Sequence, residues 1–305
     1  MQTLNRRRFL AGAVIGLVNC SGTIHQTIAQ EVATLPPRGP MQRRSPPRSS
    51  GSTATLHLDP AMPMPSVAVA IGTRRYVFGL DTGAMGFARV SSQLVADCSL
   101  VQTGKAHISD PSGMNAHDVA LWRLPSLTLG NIRFDEFDAE QENHLPAGLS
   151  GILGLDLFAG IILGLDHKNE RLILNRGSLP EPDGKRSFQS RSGPVLRLPV
   201  TIEGNHFEAD IDTGQGVCPL LVSPDWATRI GMQRDNLRTT TGHTVSQAIP
   251  VMIAPNSKSV KVGDISLPVD SIGWPTPTPM PNLGWQAFVG LHLEIDRQNN
   301  RCRFV

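Results

Sequence analysis

Two stretches of the chain, far apart in the sequence, share one pattern of apolar and polar positions. Each has a short apolar segment, a turn that contains glycine, and a second apolar segment that ends at the triplet Asp-Thr-Gly. The first copy covers residues 65–83 and the second covers residues 199–214. Apolar runs of strand length that are separated by a glycine turn predict a β-hairpin in each copy.

The similarity of the two copies continues beyond the hairpins. Matched residues lie 131 positions apart for Asp81 and Asp212, and 136 apart for Gly154 and Gly290, each of which ends an apolar-apolar-Gly segment. A nearly constant separation indicates an internal duplication. The larger value near the end predicts that a short helix or turn of the first copy is missing from the second.

The duplication sets the predicted domain boundaries. We assign residues 54–185 to an N-terminal lobe and residues 186–305 to a C-terminal lobe, with a hinge at residues 180–193. Residues 30–53 are rich in Pro, Arg and Ser, which predicts a disordered linker, with a cleavable pro-segment as the alternative. The chain has 29 Gly and 24 Pro and only 5% aromatic residues, a composition that favours a β-rich protein.

The N-terminus is typical of an export signal. Three consecutive arginines in the segment Asn5–Leu10 precede a short apolar run over residues 11–18, which resembles the twin-arginine signal of bacteria. We therefore expect a signal peptide over residues 1–29 and a periplasmic or secreted protein. A merely basic, disordered start and a lipid anchor at Cys20 are the alternatives.

The distribution of charge and the lack of ligand motifs limit which partners and cofactors we expect. The net charge of +2 combines a balance of +6 in residues 1–50 with −4 in the remainder, so nucleic acid is not expected as a partner. The apolar run is shorter than the roughly 20 residues that span a bilayer, so no stable membrane insertion is expected. We expect no cofactor and no metal, because the nine His and four Cys form no ligand pattern. Cys98, Cys218 and Cys302 are expected to be buried and inert rather than catalytic.

The two triplets carry the candidate chemistry. Asp81 and Asp212 each follow an apolar strand, and two carboxyls brought close together share one proton because both cannot ionise. One carboxyl then acts as a base toward a bound water while the other acts as an acid toward a carbonyl oxygen. The threonine hydroxyls would bond across the lobe interface, and the glycines would allow close backbone approach. The residues assigned to support the pair are Thr82, Gly83, Thr213 and Gly214.

Residues 60–305, with both triplets and the Gly151–Asp156 segment, resemble the aspartic peptidases of the retropepsin and pepsin superfamily, in a tandem single-chain form. The resemblance implies an all-β fold with two pseudo-twofold-related, retropepsin-like β-barrel lobes and a cleft between them. It implies endopeptidase activity on peptide or protein substrates, with Asp81 and Asp212 catalytic. One chain supplies both carboxyls, so a monomer would suffice. The residues assigned to substrate-binding flaps are Ser112, Gly113, Met114, Thr241 and Gly242.

The sequence also departs from the family pattern. Ala84 and Gln215 follow the triplets where pepsins carry Ser or Thr, which predicts an optimum less acidic than that of pepsin. His292 is matched with Asp156, and the second lobe is expected to be shortened. These differences motivate the alternative of a weak or inactive peptide-binding module. A domain whose strand edges mediate assembly is a third reading.

Overall fold

The computed structural model describes residues 45–109, 115–232, 237–244, 247–275 and 281–305. These residues belong to one compact unit, Arg44–Val305, that is built almost entirely of β-strands. The predicted signal peptide and the first part of the predicted linker lie outside the described residues. Residues 45–53, also assigned to the linker, are described, and Ser49–Ser50 pairs with Arg133 and Phe134.

The first sheet has ten strands and forms the N-terminal lobe. In the order in which they pair, its strands are β1 (Ser49–Ser50), β9 (Ile132–Phe134), β8 (Leu127–Leu129), β3 (Ser66–Ile71), β4 (Arg74–Asp81), β11 (Gly151–Gly154), β5 (Ala88–Val90), β10 (Phe137–Gln141), β7 (His117–Leu124) and β6 (Val101–Ile108).

The second sheet has nine strands and forms the C-terminal lobe. In the corresponding order its strands are β21 (Ile265–Leu267), β20 (Val260–Val262), β15 (Arg197–Ile202), β16 (Asn205–Ile211), β23 (Asn282–Leu283), β17 (Leu220–Leu221), β22 (Ser271–Pro275), β19 (Ala248–Pro255) and β18 (Arg238–His243). Apart from β1, every strand of the first sheet has a counterpart at the same place in the second. The parallel pairs correspond as well. The pair β4–β11 matches β16–β23, and the pair β5–β10 matches β17–β22. The predicted all-β fold of two related lobes is therefore confirmed.

The helices follow the same duplication. Helix α1 (Ser92–Asp97) and helix α2 (Pro224–Arg229) each follow the strand that comes after the triplet. Ser91 and Ser223 cap them by accepting hydrogen bonds from backbone N–H groups in the first turn, as residues at this position commonly do. Two 3-10 helices, Leu155–Phe158 and Trp285–Phe288, also correspond to each other.

A third, six-stranded sheet joins the lobes. Its order is β14 (Ser187–Gln189), β25 (Arg301–Phe304), β24 (His292–Asp296), β12 (Ile161–Asp166), β13 (Arg171–Arg176) and β2 (Thr53–His57). At its centre β12 pairs antiparallel with β24, so that Ile162 opposes Asp296 and Asp166 opposes His292. Ile162 and Asp166 correspond to His292 and Asp296 of the other lobe, so replacing each residue by its counterpart gives the same register. The pseudo-twofold axis therefore passes through this strand pair. The predicted hinge over residues 180–193 contains β14 and is thus partly a strand of this sheet.

One continuous apolar core runs through both lobes and the shared sheet. Leu163, Leu165, Leu293 and Ile295 place their side chains in it from β12 and β24 and are at most 1% exposed. No helix among the described residues is long and apolar enough to cross a membrane.

The structure corrects the alignment of the two copies near their ends. Gly154 ends β11 beside Asp81, whereas its counterpart beside Asp212 is Gly284, which follows β23. Gly290 instead corresponds to Gly160, and both have a positive φ. The expected loss of a short helix from the second lobe is therefore wrong, because both lobes have a 3-10 helix at this place.

Candidate active site

Strands β4 and β16 deliver the two triplets to the lobe interface. β4 ends at Asp81 and β16 ends at Ile211, one residue before Asp212. A parallel neighbour supports each end: Gly154 of β11 lies opposite Asp81, and the Asp212 N–H donates to the Leu283 carbonyl at 3.0 Å. The carboxyl ends of two related strands therefore meet across the pseudo-twofold axis.

The threonines of the triplets hold the two loops together by reciprocal hydrogen bonds. The Thr82 N–H donates to Oγ1 of Thr213 at 3.1 Å, and the Thr213 N–H donates to Oγ1 of Thr82 at 3.0 Å. Each hydroxyl in turn donates to a backbone carbonyl of the opposite lobe, Ile211 at 2.8 Å and Leu80 at 2.6 Å. Thr82 and Thr213 are buried, and all four groups of this network are satisfied.

The glycines of the triplets lie against the carboxyl group of the opposite lobe. A Cβ atom on Gly83 would lie 2.5 Å from Cγ of Asp212, and one on Gly214 would lie 2.4 Å from Cγ of Asp81. Real Cβ atoms do not approach so closely, so these positions admit only glycine with the carboxyls where they are. The structure thus brings Asp81 and Asp212 together at the centre of the interface.

Backbone donors orient both carboxyls. Oδ1 of Asp81 accepts from the N–H groups of Gly83 at 2.9 Å and Ala84 at 3.0 Å. Oδ1 of Asp212 accepts from the N–H of Gly214 at 3.1 Å. Such donors fix the side chains before any ligand arrives.

Removal from water raises the pKa of Asp212 to about 8, and the charge of Asp81 and hydrogen bonding with Asp81 act in the same direction. A hydrogen bond from Asn282 opposes this rise. With this raised pKa, Asp212 keeps its proton through neutral pH. The arrangement can therefore offer a base and an acid at the same time.

Asn282 is a site residue that sequence reasoning missed. It lies in β23, and its Nδ2–H donates to Oδ2 of Asp212 at 2.7 Å. Its counterpart beside Asp81 is Ile152, because β11 and β23 occupy equivalent places. The segment Asn282–Gly284 begins with a polar residue and does not fit the apolar-apolar-Gly pattern, whereas Phe288–Gly290 does. The signal that could have found it is the Leu-Gly pair, which both lobes share.

Gln215, which follows the second triplet, bonds within its own loop. Its Oε1 accepts from the N–H of Val217 at 2.6 Å, and its Nε2–H donates to the Cys218 carbonyl at 2.7 Å. The residue matched with Asp156 is Gln286 rather than His292, since each is the second residue of its 3-10 helix. His292 lies in β24, opposite Asp166.

Two hairpins occupy the predicted flap positions. Strands β6 and β7 form the first, and its predicted tip, Ser112, Gly113 and Met114, lies outside the described residues. Strands β18 and β19 form the second, which contains Thr241 and Gly242. Thr241 is exposed, whereas Gly242 is buried close to Val217 of the second triplet's loop. The second hairpin therefore packs onto the loop that carries Asp212.

The three cysteines that the structure describes are not set up as nucleophiles for the pair. Cys98, Cys218 and Cys302 are free thiols, and burial raises the pKa of Cys218 and of Cys302 to about 12. Cys98 was expected to be buried, which is wrong: it is only partly buried, and it donates to the Tyr76 hydroxyl at 3.2 Å. Within the described ranges, no group of three or more His, Cys, Asp or Glu side chains is arranged to hold a metal ion.

No protein-family model matches the sequence, and no curated protein is significantly similar to it.

Proposed function

We propose that the protein is an aspartic endopeptidase that hydrolyses peptide bonds through a water activated by Asp81 and Asp212. The observation that carries the proposal is the mutual approach of the two triplets, in which each glycine lies against the opposite carboxyl and each threonine bonds to the opposite loop. Holding two carboxyls away from water is unfavourable for the free energy of folding, and such arrangements are typical of functional sites.

The chemistry follows from the single shared proton. The ionised carboxylate takes a proton from the water while the water oxygen bonds to the scissile carbonyl carbon. At the same time the protonated carboxyl donates its proton to the carbonyl oxygen. The carboxyl that took the proton from the water then gives it to the leaving nitrogen as the C–N bond breaks, and a hydroxyl of the tetrahedral diol returns its proton to the other carboxylate as the new carboxyl group forms. The pair regains its single proton, and no metal or covalent intermediate is required.

The substrate would be an extended peptide that lies between the carboxyl pair and the two hairpins. We also propose that the protein acts outside the cytoplasm, on the basis of the twin-arginine pattern at Asn5–Leu10. One chain would be sufficient, since it supplies both carboxyls.

The test is cleavage of a peptide library by the purified protein from about pH 3 to 8, a range that brackets the titration of carboxyl pairs. We expect cleavage that a statine-type transition-state analogue inhibits. Asp81→Asn and Asp212→Asn should each reduce kcat/KM by about 10³-fold, the order of magnitude that general acid–base catalysis contributes. The exposed Asp264→Asn serves as the charge control and should cleave like the wild type.

Peptide binding without turnover over this whole range would contradict the proposal. It would favour a peptide-binding module of the same fold. Cleavage that survives Asp81→Asn unchanged would also contradict it.

A further inference from the structure

The face of the first sheet that carries Asp81 also carries charged side chains. Asp81 and Gly79 lie two residues apart in β4, so their positions share one face of the sheet. In the neighbouring strands β11, β5 and β10, the residues that continue the row of Gly79 are Ile152, Arg89 and Glu140. Arg89 and Glu140 therefore lie on the same side of the sheet as the carboxyl group of Asp81.

Glu142 extends this group to a cluster of three charges. It lies two residues after Glu140, and its N–H donates to the Val90 carbonyl at 2.9 Å, so it continues the same face. Nε of Arg89 lies 3.7 Å from the Glu140 carboxylate, and Nη1 lies 3.5 Å from that of Glu142. Arg89 is 9% exposed and Glu142 is 6% exposed. One guanidinium thus faces two carboxylates, which leaves the buried cluster with one negative charge in excess.

The cluster is incompletely paired. Both distances are longer than the roughly 2.7–3.2 Å of an N–H···O hydrogen bond, and Nε of Arg89 is buried with no hydrogen-bond partner among the described residues. Buried charges that are poorly paired are unfavourable for folding. The cluster therefore contributes little as a structural ion pair and fits a site that a ligand completes.

A pocket opens at the cluster, between the hairpin of β6 and β7 and the segment that follows β10. Its volume is about 270 Å³, compared with the roughly 30 Å³ that one water occupies, so it can hold an amino-acid side chain. Ile108 and Val119 line it from the hairpin, and Glu142 lines it from the opposite side. Among the described residues that line it, Glu142 is the one with a charge when the histidines are neutral, and Arg89 is not one of them.

The uncharged polar side chains of the pocket also favour a ligand that donates hydrogen bonds. Nδ1 of His117 lies 2.9 Å from the Asn115 carbonyl, so Nδ1 carries the proton and Nε2 is an acceptor in the neutral ring. The amide N–H groups of Gln141 are already used, because they donate to Ser92 and Asn143. The pocket thus offers a carboxylate and an imidazole nitrogen as acceptors.

We propose, on the basis of the function proposed above, that this pocket is a subsite for a basic side chain, lysine or arginine, of the peptide substrate, and that Glu142 determines the preference. The ammonium or guanidinium group of the substrate supplies the positive charge that the cluster lacks. Because the pocket and Asp81 share one face of the sheet, the same extended peptide can reach both.

The test is cleavage of peptides that differ at one position at a time, with lysine, norleucine or glutamate at each position on either side of the scissile bond. At one position lysine should raise kcat/KM over norleucine by about 10- to 100-fold, the range that hydrogen bonds to charged groups contribute, and glutamate should lower it. Glu142→Gln should remove most of this ratio. The matched control is Glu136→Gln, which removes an exposed carboxylate next to β10 that does not line the pocket, and it should keep the ratio.

Val119→Lys provides the test if Glu142→Gln fails to fold. Val119 is half-buried and lines the pocket, so a lysine at this position brings a positive charge to Glu142 from the chain itself. It should abolish the preference for lysine in the substrate. A preference for glutamate, the absence of a lysine preference at every position, or a preference that survives both variants would overturn the proposal.

Binding of the same peptides to Asp81→Asn, measured by fluorescence anisotropy, separates the two proposals. Tighter binding of the lysine peptides, together with a wild type that cleaves none of them, would refute the peptidase and leave the subsite intact. A wild type that cleaves without a preference for lysine would refute the subsite alone. A protein that neither binds nor cleaves any of the peptides would refute both.

Discussion

The carboxyl group of Asp212 makes the stability of the protein depend on pH. Its pKa in the folded protein is raised to about 8, mainly because the group is removed from water, whereas an unfolded aspartate has a pKa of about 3.9. The folded protein therefore binds a proton at this site more tightly than the unfolded chain. The contribution of this proton to the free energy of unfolding is complete below about pH 4 and is lost as the pH rises toward about 8.

Asp212→Asn removes this ionisation and should flatten the dependence. We expect the free energy of unfolding of Asp212→Asn to exceed that of the wild type increasingly as the pH rises from about 4 to 8. Urea denaturation at several pH values measures the difference. Asp264→Asn, at an exposed position, should follow the wild-type curve. Parallel curves for Asp212→Asn and the wild type would show that the site does not hold a proton through neutral pH.

The two triplet loops are joined by their threonines, and this predicts how they respond to substitution. Thr82→Val keeps the shape of the side chain but removes a donor to the Ile211 carbonyl and an acceptor for the Thr213 N–H. Leaving these buried groups unpaired should cost about 2–5 kcal/mol of unfolding free energy. Denaturant titration measures this loss.

Thr82→Ser provides the control for the hydroxyl. It keeps both hydrogen bonds and loses one methyl group, so it should cost only about 1 kcal/mol. Equal destabilisation by Val and Ser would mean that packing, rather than the reciprocal bonds, holds the loops together.

The strands and hairpins were the part of the structure that local sequence patterns could predict. The opening hairpins of both copies, β3 with β4 and β15 with β16, pair as the apolar runs and glycine turns indicated. The prediction of which strand lies beside the triplet was wrong in the second lobe, where β23 rather than the segment Phe288–Gly290 takes this place. There the first position of the segment is Asn282, whose side-chain N–H donates to Asp212, 70 residues earlier in the chain. A contact of that kind leaves no mark in the local pattern.

The shared sheet was not predicted for a similar reason. Its central pair joins the ends of the two lobes, with Gly164 opposite Glu294, and nothing in either strand's own pattern specifies this partner. Sequence analysis could assign the lobes but not the surface through which they join.

The pairing of β12 with β24 has a consequence for the isolated N-terminal lobe. A fragment of residues 45–185 would present β12 with an unpaired edge, and open strand edges recruit other strands. Because β24 is the pseudo-twofold counterpart of β12, a second copy of β12 can replace it in the same antiparallel arrangement, centred on Gly164. The apolar side chains of Leu163 and Leu165 would then lie in a comparable core.

We therefore expect residues 45–185, expressed alone, to form a dimer, whereas the full chain does not need one. Light scattering after size-exclusion chromatography measures the mass of the fragment. Leu163→Pro, which removes a backbone donor in the middle of β12, should abolish the dimer. Addition of residues 186–305 should convert the dimer to a one-to-one complex, because β24 is the native partner. A fragment that is folded and monomeric and does not bind residues 186–305 would contradict this prediction. It would show that the shared sheet contributes little to joining the lobes and that the triplet loops hold the interface together.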